Sequence, residues 1–448
     1  MSFYIFKKLI DDTYMAIDST DSKVKYFKSF SDMNAVFSKH PLPNHLQPKR
    51  IVTTKTLNIV DGKYTVNEDK AIKSDVEYKS EIEKALTEYL IEFNIQAAEL
   101  EKELKMKNTF RKYFSPQIAT LKIFEFIASK EFKDYKLIEN EVFKNVYYND
   151  DCKINIDEYE FMEDCYNGGL IYCDEQFEPI ESHSYDLNFA YPRVLGDSDL
   201  MIPFKQGTKT KIDNVPTIKN LKFGFYRIKI SSTDKNAMKL FSFNNLNCYN
   251  YYEVCFALKY AKKYKFKLEM ITNGQYNAYI YENEDMIKSS QLFGRWYNEI
   301  LSLRKKLPTN KLVKHIGSAL WGAISQKNSV NVKEDDYDKN KYKDMKLVNI
   351  SGDKDTFYYT LVGSNQPYKT NIRLKGWLHS YIRCELAKCA DIDIENVIRI
   401  HTDSVTFKVK HDELISDKMK KEEKSSGNIL WSNVNKYYKI DNNNKLLE

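Results

Sequence analysis

The chain has 448 residues, of which 42% are hydrophobic and 29% charged, and this balance predicts a globular protein of two or three domains. Aromatic residues reach 14% against only 14 glycines and 10 prolines, which excludes collagen-like, linker-like and low-complexity classes. The net charge of +6 is mildly basic, so it permits a nucleic-acid partner without requiring one.

Cysteine usage and hydropathy indicate the compartment. The chain has 7 cysteines, an odd number without a CxxC pair, so we expect neither a disulfide framework nor a zinc knuckle. The N-terminal sequence places acids where a signal peptide needs an apolar run, and no apolar stretch is long enough to span a membrane. We therefore expect a cytoplasmic protein with no membrane partner.

The N-terminal region predicts a small α+β domain. Short alternating runs predict three strands, at 3–6, 15–18 and 23–26. Prolines predict a turn within 40–45. From 76 to 107, apolar residues recur every three or four positions, which predicts one long amphipathic helix whose charged remainder is a solvated face.

The middle of the chain changes from helical to strand-like patterns. A second helix is predicted to begin at Ser115-Pro116 and to run to Ile127. The residues Asn167, Gly168 and Gly169 then break the chain before a predicted strand at 170–173. Three charge-rich segments are predicted to be surface loops or insertions: 205–214, 332–346 and 417–428.

Two acids stand at predicted strand ends. Asp186 follows a β-like run and precedes a turn, a position at which an acid is more often a turn or cap residue. Residues 397–407 predict two β-runs joined by a tight turn, with Asp403 at the tip. Two such carboxylates, if they face each other, repel unless a cation neutralises them, and Mg²⁺ prefers hard oxygen ligands of this kind. The pair would suit two-metal phosphoryl transfer.

Between the two acids, a predicted helix presents Lys314, Ser318, Trp321 and Ser325 on one face. A lysine there can neutralise a triphosphate while the indole stacks on a base, which is typical of a nucleotide-facing helix. Taken singly, Trp321 is more often a core aromatic and Lys314 a solvated lysine.

The ordered set resembles the motifs of family B DNA polymerases, most closely the protein-primed branch of phages, adenoviruses and linear plasmids. Motif A matches 186–192, with Phe189-Ala190 in place of Ser-Leu. Motif B matches 314–322, with Ser, Ala and Trp in place of Asn, Ser and Tyr. Motif C matches 401–404, where His401-Thr402-Asp403-Ser404 replaces Asp-Thr-Asp-Ser.

Two flanking elements extend the resemblance, which covers 115–438. Tyr166-Asn167-Gly168-Gly169 resembles the YxGG element, which implies that Tyr166, Gly168 and Gly169 contact single-stranded template. Lys436-Tyr437-Tyr438 resembles the KxY element, which implies that Lys436 and Tyr438 contact primer DNA. Residues 371–390 resemble the palm helix that precedes motif C.

The resemblance implies a role for each matched residue. Asp186 and Asp403 would be the catalytic carboxylates that bind two Mg²⁺ ions, for which Mn²⁺ may substitute, and the Leu187 carbonyl would complete part of the shell. Nucleotide binding would fall to a further set: Tyr191, Arg304, Lys314, Ser318 and Trp321. Of these, Lys314 and Arg304 would hold the triphosphate, and the Tyr191 ring would exclude a 2′-hydroxyl.

The sequence departs from the family in three places. His401 replaces the first acid of motif C, which would reduce the negative charge at the metals or shift the preference toward Mn²⁺, unless the imidazole only bonds within the hairpin. The N-terminal region lacks the Asp-x-Glu pair of the proofreading exonuclease. Few residues follow Tyr438, so either processivity is low or a partner supplies the missing grip.

We therefore expect an α+β protein with the right-hand polymerase fold: an antiparallel-sheet palm, two-helix fingers, an atypical N-terminal domain and a reduced thumb. The expected domains are 1–112 (N-terminal), 113–302 (palm with YxGG, motif A and an insertion), 303–330 (fingers), 331–413 (palm with an insertion and motif C) and 414–448 (thumb with KxY).

The expected function is template-directed synthesis of DNA from dNTPs in viral, phage or plasmid replication, without proofreading. The expected partners are template and primer DNA, with a terminal protein as primer and a separate exonuclease or processivity subunit as further candidates; if a phage or virus encodes the chain, it acts in the host cytoplasm. Two alternatives stay open. One is a catalytically impaired homologue that serves as a DNA-binding replication subunit, and the other is a primase-like enzyme that makes RNA.

Overall fold

The protein divides into two compact units. The computed structural model describes residues 4–8, 14–18, 24–27, 51–60, 63–106, 119–127, 152–174, 176–352, 357–441 and 445–447. The first unit comprises Met1–Ile123 with Glu299–Ala319, and the second comprises Phe124–Asn298 with Leu320–Glu448. The turn predicted at 40–45 and the start of the second helix, at Ser115-Pro116, lie outside the described residues.

Helices and antiparallel strands alternate along the chain. The described α-helices are α1 Asp75–Leu104, α2 Ile156–Asp164, α3 Ala190–Gly196, α4 Ala237–Leu240, α5 Tyr251–Lys259, α6 Ser289–Lys306, α7 Lys311–Ile324 and α8 Trp377–Ala390. Residues 119–127 are also helical. The strands are β1 Tyr4–Lys8, β2 Tyr14–Asp18, β3 Val24–Phe27, β4 Ile51–Val60, β5 Lys63–Ile72, β6 Leu170–Cys173, β7 Ile180–Leu187, β8 Met201–Pro203, β9 Thr208–Thr210, β10 Gly224–Ser232, β11 Cys248–Asn250, β12 Phe266–Met270, β13 Ala278–Ile280, β14 Met286–Lys288, β15 Ser329–Lys333, β16 Met345–Gly352, β17 Phe357–Gly363, β18 Val397–Thr402, β19 Ser404–Phe407, β20 Met419–Lys421, β21 Gly427–Asn433, β22 Lys436–Ile440 and β23 Leu446–Leu447. The mixed content agrees with the expected α+β class.

The first unit begins with two small antiparallel sheets, β1-β2-β3 and β4-β5. The three predicted N-terminal strands lie within two residues of β1, β2 and β3. Helix α1 confirms the predicted long helix. It begins at a capping box in which the Ser74 hydroxyl accepts a bond from the Glu77 amide while the Glu77 carboxylate accepts one from the Ser74 amide. It ends at Lys105, whose φ of 54° is left-handed.

The second unit is organised by an eight-stranded antiparallel sheet in the order β23-β22-β21-β7-β19-β18-β6, with β20 also paired to β7. Strand β7 is central because it pairs with β19, β20 and β21. Smaller antiparallel sheets comprise β11-β10-β13-β9 with β12 on β10, the pair β14-β8, and β15-β17-β16. Four of the strands in 414–448, the predicted thumb, therefore extend the same sheet as β7.

One of the three predicted surface loops is wrong. Segment 417–428 contains β20, which pairs with β7, and the start of β21. Among its many charged residues, Met419, Ser425 and Ser426 are buried. In the other two segments most described residues are exposed or half-buried, although 205–214 includes β9 and 332–346 overlaps β15 and β16.

Two further observations concern cysteines and membranes. All seven cysteines are free thiols. No helix within the described ranges is long and apolar enough to cross a membrane.

A buried ion pair stabilises the second unit. Arg373 and Glu158 have fully buried side chains, and two guanidinium nitrogens donate to the two carboxylate oxygens over 2.6 and 3.0 Å. The Tyr281 hydroxyl donates to the same carboxylate over 2.6 Å. The remaining guanidinium hydrogens go to backbone carbonyls, including that of Cys152 at 2.8 Å. The pair joins α2 to the chain segment just before α8.

Substitution of Arg373 by methionine tests this pair. We expect Arg373→Met to lower the free energy of unfolding by about 3–5 kcal/mol, because it leaves the Glu158 charge buried without a partner. The matched control is Lys222→Met, which cuts an ion pair to Glu282 in which both side chains are more than half exposed (59% and 55%). Urea unfolding should show no measurable change for the control, and equal changes for both variants would contradict this role of Arg373.

Candidate active site

The main sheet brings Asp186 and Asp403 together. Strand β7 carries Asp186 one residue before its end, and Asp403 lies between β18 and β19 at the tip of their hairpin. Ser404 stands directly opposite Asp186 in the register of β19 and β7. The Leu187 amide donates to the Asp403 carbonyl over 2.8 Å. The sheet therefore places the two sequence-predicted acids close together, Asp186 near the end of β7 and Asp403 at the hairpin tip beside it.

The hairpin tip is a tight turn that fixes Asp403. Thr402 has a left-handed φ of 57°, which is uncommon for a β-branched residue. The Asp403 amide donates to the His401 carbonyl over 2.7 Å. The Thr402 hydroxyl donates to the Asp403 carboxylate over 2.9 Å. Backbone strain of this kind is found at functional sites, where the surrounding structure holds a side chain in a set position.

Both carboxylates are partly desolvated. Burial, and after it the charge of Asp403, raises the pKa of Asp186 to about 6. Burial also raises the pKa of Asp403, against the opposing hydrogen bond from Thr402 and the charge of His401. The ionised form of both carboxyl groups is therefore destabilised, because each loses hydration and Asp186 also lies near the negative charge of Asp403.

Lys420 is a site residue that the sequence analysis missed. It stands directly opposite Asp186 in the pairing of β20 with β7, and its Nζ lies 3.3 Å from Asp186 Oδ2. Its ammonium lowers the pKa of Asp186 and so opposes the effects of burial and Asp403. The high charge density of 417–428 favoured a surface loop and obscured β20, so the sequence carried no signal for Lys420.

The donor set fits a hard divalent cation in part. Among the residues that the structure describes, no three or more His, Cys, Asp or Glu side chains are grouped so as to hold a metal ion. Two carboxylates with raised pKa values, together with the adjacent Leu187 carbonyl, are oxygen ligands of the type that Mg²⁺ and Mn²⁺ take. Such a site needs substrate oxygens or water to complete its shell.

His401 lies on β18, next to the hairpin tip, and is half-buried. Burial, and after it the charge of Arg399, lowers the pKa of His401, while Asp403 opposes the shift. Burial of the ring thus disfavours the imidazolium form of His401, while the nearby Asp403 carboxylate favours it.

Four side chains of the second unit form an aromatic cluster, which we define as Tyr166, Tyr191, Trp321 and His379. The Tyr191 ring stacks on the Trp321 indole, with centroids 5.7 Å apart and planes inclined by 20°. His379 meets Trp321 edge-on at 4.4 Å, and its ring lies 5.4 Å from Tyr191 and 5.1 Å from Tyr166. The cluster thus brings together Tyr166, which was predicted to contact the template, with Tyr191 and Trp321, which were predicted to bind the nucleotide.

The backbone before this cluster carries Tyr191 into place. Phe189 has a left-handed φ of 47°, so the chain turns sharply after β7 and enters α3 at Ala190. Burial, and after it the charge of Asp403, raises the pKa of Tyr191 to about 12. The phenol is therefore neutral at pH 7, and the charge of Asp403 at the hairpin tip makes its ionisation less favourable.

His379 was also missed, although it lies within the predicted palm helix, here α8. Its side chain is only 3% exposed, and Nδ1 has no hydrogen-bond partner among the described atoms. Burial and the charges of Arg383 and Lys375 lower its pKa to about 3. His379 therefore packs as a neutral aromatic ring beneath three more exposed ones. A lone histidine in a helix gave no sequence signal for this.

The YxGG element packs directly against the hairpin tip. Gly168 has a φ of 64°, and the guanidinium of Arg383 donates to its carbonyl. A Cβ placed on Gly169 would lie 2.8 Å from Thr402 Cγ2 and 2.9 Å from Thr402 Cα. The Lys375 Nζ lies 4.6 Å from the centre of the Tyr166 ring. Gly169 is thus required by close approach to the turn that holds Asp403.

The remaining predicted residues lie elsewhere. Lys436 and Tyr438 are on β22, which β21 separates from β7. Tyr438 is buried, and the Lys436 Nζ lies 5.7 Å from its ring centre. The first unit holds Arg304, Lys314 and Ser318, all of them exposed.

This chain resembles known proteins in structure but not in sequence. No protein-family model and no curated protein sequence matches this chain. The chain is similar to Phi29 DNA polymerase complexed with single-stranded DNA, with a TM-score of 0.51 and 13% identity over 100% of this chain and 88% of that one. It is similar also to the ternary complex of Phi29 DNA polymerase with primer-template DNA and incoming nucleotides, with a TM-score of 0.50, 12% identity and the same coverage. At this identity the comparison shows a shared polymerase fold.

Substitution of Gly169 by alanine tests the packing at the hairpin tip. The added Cβ would overlap the Thr402 backbone, so we expect a loss of about 1–3 kcal/mol in the free energy of unfolding. We also expect faster hydrogen exchange at the Asp403 amide. The control is Gly322→Ala, because nothing lies within 4 Å of an added Cβ there and alanine favours the helix. A Gly169→Ala variant as stable as wild type would contradict this prediction, because it would show that the turn accommodates the added methyl group without loss of stability.

Proposed function

We propose that this chain is a template-directed DNA polymerase that adds deoxynucleotides to a primer 3′-hydroxyl. The observation that carries the proposal is the placement of Asp186 opposite the β18–β19 hairpin tip, where the Leu187 amide bonds the Asp403 carbonyl at 2.8 Å. Two facing carboxylates in a polymerase-like fold suit phosphoryl transfer better than any other chemistry that these side chains offer.

The roles of the acids follow from their charge and position. Asp186, Asp403 and the Leu187 carbonyl would hold two Mg²⁺ ions, for which Mn²⁺ may substitute. Bound divalent ions would activate the primer hydroxyl and neutralise charge on the triphosphate. Lys420 would then exchange its contact with Asp186 for a contact with phosphate oxygens, since its ammonium neutralises the carboxylate only while no other cation does.

The aromatic cluster supplies flat surfaces for nucleic acid. Tyr191, supported by Trp321 and His379, would lie under the sugar of the incoming dNTP and exclude a 2′-hydroxyl. Tyr166 with Gly168 and Gly169 would face the template strand, because a half-buried ring beside a glycine pair leaves room for a stacked base.

The other predicted contacts complete the proposal. Lys314, Ser318 and Arg304 would bind the triphosphate. Lys436 would contact a primer phosphate, with the buried Tyr438 ring supporting its position. Replication of a viral, phage or plasmid genome, priming by a terminal protein, absence of proofreading from this chain, and separate exonuclease or processivity subunits belong to the same proposal.

Primer extension tests the proposed chemistry. We expect Asp186→Asn and Asp403→Asn each to lower the rate at least about 100-fold, since loss of a metal ligand removes several kcal/mol of transition-state stabilisation. The matched control is Asp417→Asn, an exposed acid just before β20, which should extend primers like wild type. Gel analysis with labelled primer-template, dNTPs and either Mg²⁺ or Mn²⁺ gives the rates.

Two outcomes would contradict the proposal. Synthesis that is unaffected by both substitutions would place the chemistry elsewhere. If neither metal supports synthesis while all variants bind primer-template DNA equally, the chain is a DNA-binding replication subunit instead.

Nucleotide selectivity tests the role of Tyr191. We expect Tyr191→Val to reduce discrimination against rNTPs at least about tenfold, because removal of the ring opens space for a 2′-hydroxyl. Tyr191→Phe keeps the ring and its stacking on Trp321 and should retain the selectivity. The ratio of kcat/KM for dCTP and CTP measures the effect. Equal efficiency of both nucleotides with the wild-type protein would favour the primase-like alternative.

A further inference from the structure

One face of α1 lies against the turn that joins α6 to α7, within the first unit. This face is formed by Glu92, Gln96, Glu99 and Glu103, which are spaced i, i+4, i+7 and i+11 and so share one side of the helix. The sequence predicted a solvated face here. Glu92 and Glu99 are exposed, as that prediction expects, and Gln96 and Glu103 are half-buried. Each of the four also contacts the α6–α7 turn or the helix end beside it.

One ion pair lies on each side of the α6–α7 turn. The Glu103 carboxylate lies 3.1 Å from Lys306 Nζ, at the end of α6. The Glu92 carboxylate lies 3.0 Å from Lys311 Nζ, at the start of α7. Both pairs are partly exposed, so each contributes little by itself. Together they align the turn along α1.

The centre of the interface is Asn310, which is only 5% exposed. Its Nδ2 donates to the Gln96 carbonyl over 3.0 Å and to Glu99 Oε2 over 2.9 Å. Its Oδ1 accepts a bond from the Val313 amide over 3.3 Å. One side chain thus both caps α7 and ties it to α1.

Gln96 supplies a second cap from outside the helix. Its Oε1 accepts a bond from the Leu312 amide over 2.8 Å, and its Nε2 donates to Glu92 over 2.9 Å. The first amides of a helix have no partner within the helix, so an acceptor from another element fixes where that helix begins. Further along α7, the buried Thr120 hydroxyl donates to the Ile316 carbonyl over 2.7 Å.

The consequence concerns the exposed face of α7. Lys314 follows the capped residue Val313 directly, and Ser318 lies one turn further on; both are exposed, while Leu312, Val313 and Ile316 are buried. Because the start of α7 is fixed by α1, the axial position and rotation of Lys314 and Ser318 are fixed as well.

We propose that α1 is a positioning element for nucleotide binding: it holds the α6–α7 turn so that Lys314 and Ser318 are set for the triphosphate. This inference rests on the proposed function and assigns a role to the N-terminal region that does not involve an exonuclease. The residues concerned act through α7 and do not themselves touch the nucleotide.

Two substitutions separate docking from folding. Gln96→Ala removes the external cap of α7 and leaves α1 with a good helix former. Asn310→Asp keeps an oxygen that caps α7, but it removes the donor to α1 and places a charge beside Glu99. The control is Lys102→Ala, an exposed position on another side of α1. Circular dichroism and thermal unfolding establish that each variant folds.

We expect both variants to speed hydrogen exchange at the Leu312 amide, because Gln96→Ala removes its acceptor and Asn310→Asp weakens the contact that holds Gln96 of α1 beside it. We also expect both to raise the Kd for dNTP about three- to tenfold. The KM for dNTP should rise by a similar factor. The kcat and the Kd for primer-template DNA should change less than about twofold, because both residues act only through the position of α7. Lys102→Ala should match wild type in all four quantities.

The outcomes distinguish the two proposals. Unchanged exchange in both variants, or faster exchange with an unchanged Kd for dNTP, overturns the positioning role. If the wild-type protein binds dNTP but makes no DNA, the polymerase proposal fails, and the positioning role stands or falls with the dNTP affinities of the variants. If the wild-type protein neither binds dNTP nor makes DNA, both proposals are overturned.

Discussion

Two carboxylates held opposite each other at the end of one antiparallel sheet are the constraint on which the rest of the structure depends. The pairing of β7 with β19 places Ser404 across from Asp186, and a bond from the Leu187 amide to the Asp403 carbonyl joins the end of β7 to the hairpin tip. Burial and mutual repulsion raise the pKa of Asp186 to about 6, which is the cost of this arrangement. A divalent cation would offset that cost, and Lys420 offsets part of it without one.

The surroundings of the pair are built to keep it in place. Gly169 packs against Thr402 so closely that no side chain fits between them, and this contact fixes the hairpin tip from outside the sheet. Tyr191 lies near enough to Asp403 for that charge to raise its pKa, and its ring contacts Trp321 and His379 with centroids 5.7 and 5.4 Å apart. In the first unit, α1 plays a comparable part for α7. The side chains proposed for catalysis and for nucleotide binding are thus held in place by residues that do not themselves react.

Much of this could be predicted from sequence. Periodicity predicted α1, three N-terminal strands and the β18–β19 hairpin, because local patterns determine them. The pairing of Asp186 with Asp403 followed from their order among motifs. Lys420 could not be predicted, since cross-strand neighbours depend on register, and the charges of 417–428 concealed a strand. His379 gave no signal because its importance comes from three rings that meet only in the folded chain. The contacts of the charged face of α1 could not be predicted for the same reason, since spacing identifies a polar face without showing which other element lies against it.

The most direct measurement is a titration of Mn²⁺ followed by electron paramagnetic resonance, with primer-template DNA and dNTP present. If Asp186 and Asp403 form the metal site of a polymerase, the wild-type protein will bind Mn²⁺ and the doubly substituted Asp186→Asn, Asp403→Asn protein will lose that binding while still retaining DNA. Mn²⁺ binding that is equal in both proteins would contradict the assignment of the two carboxylates.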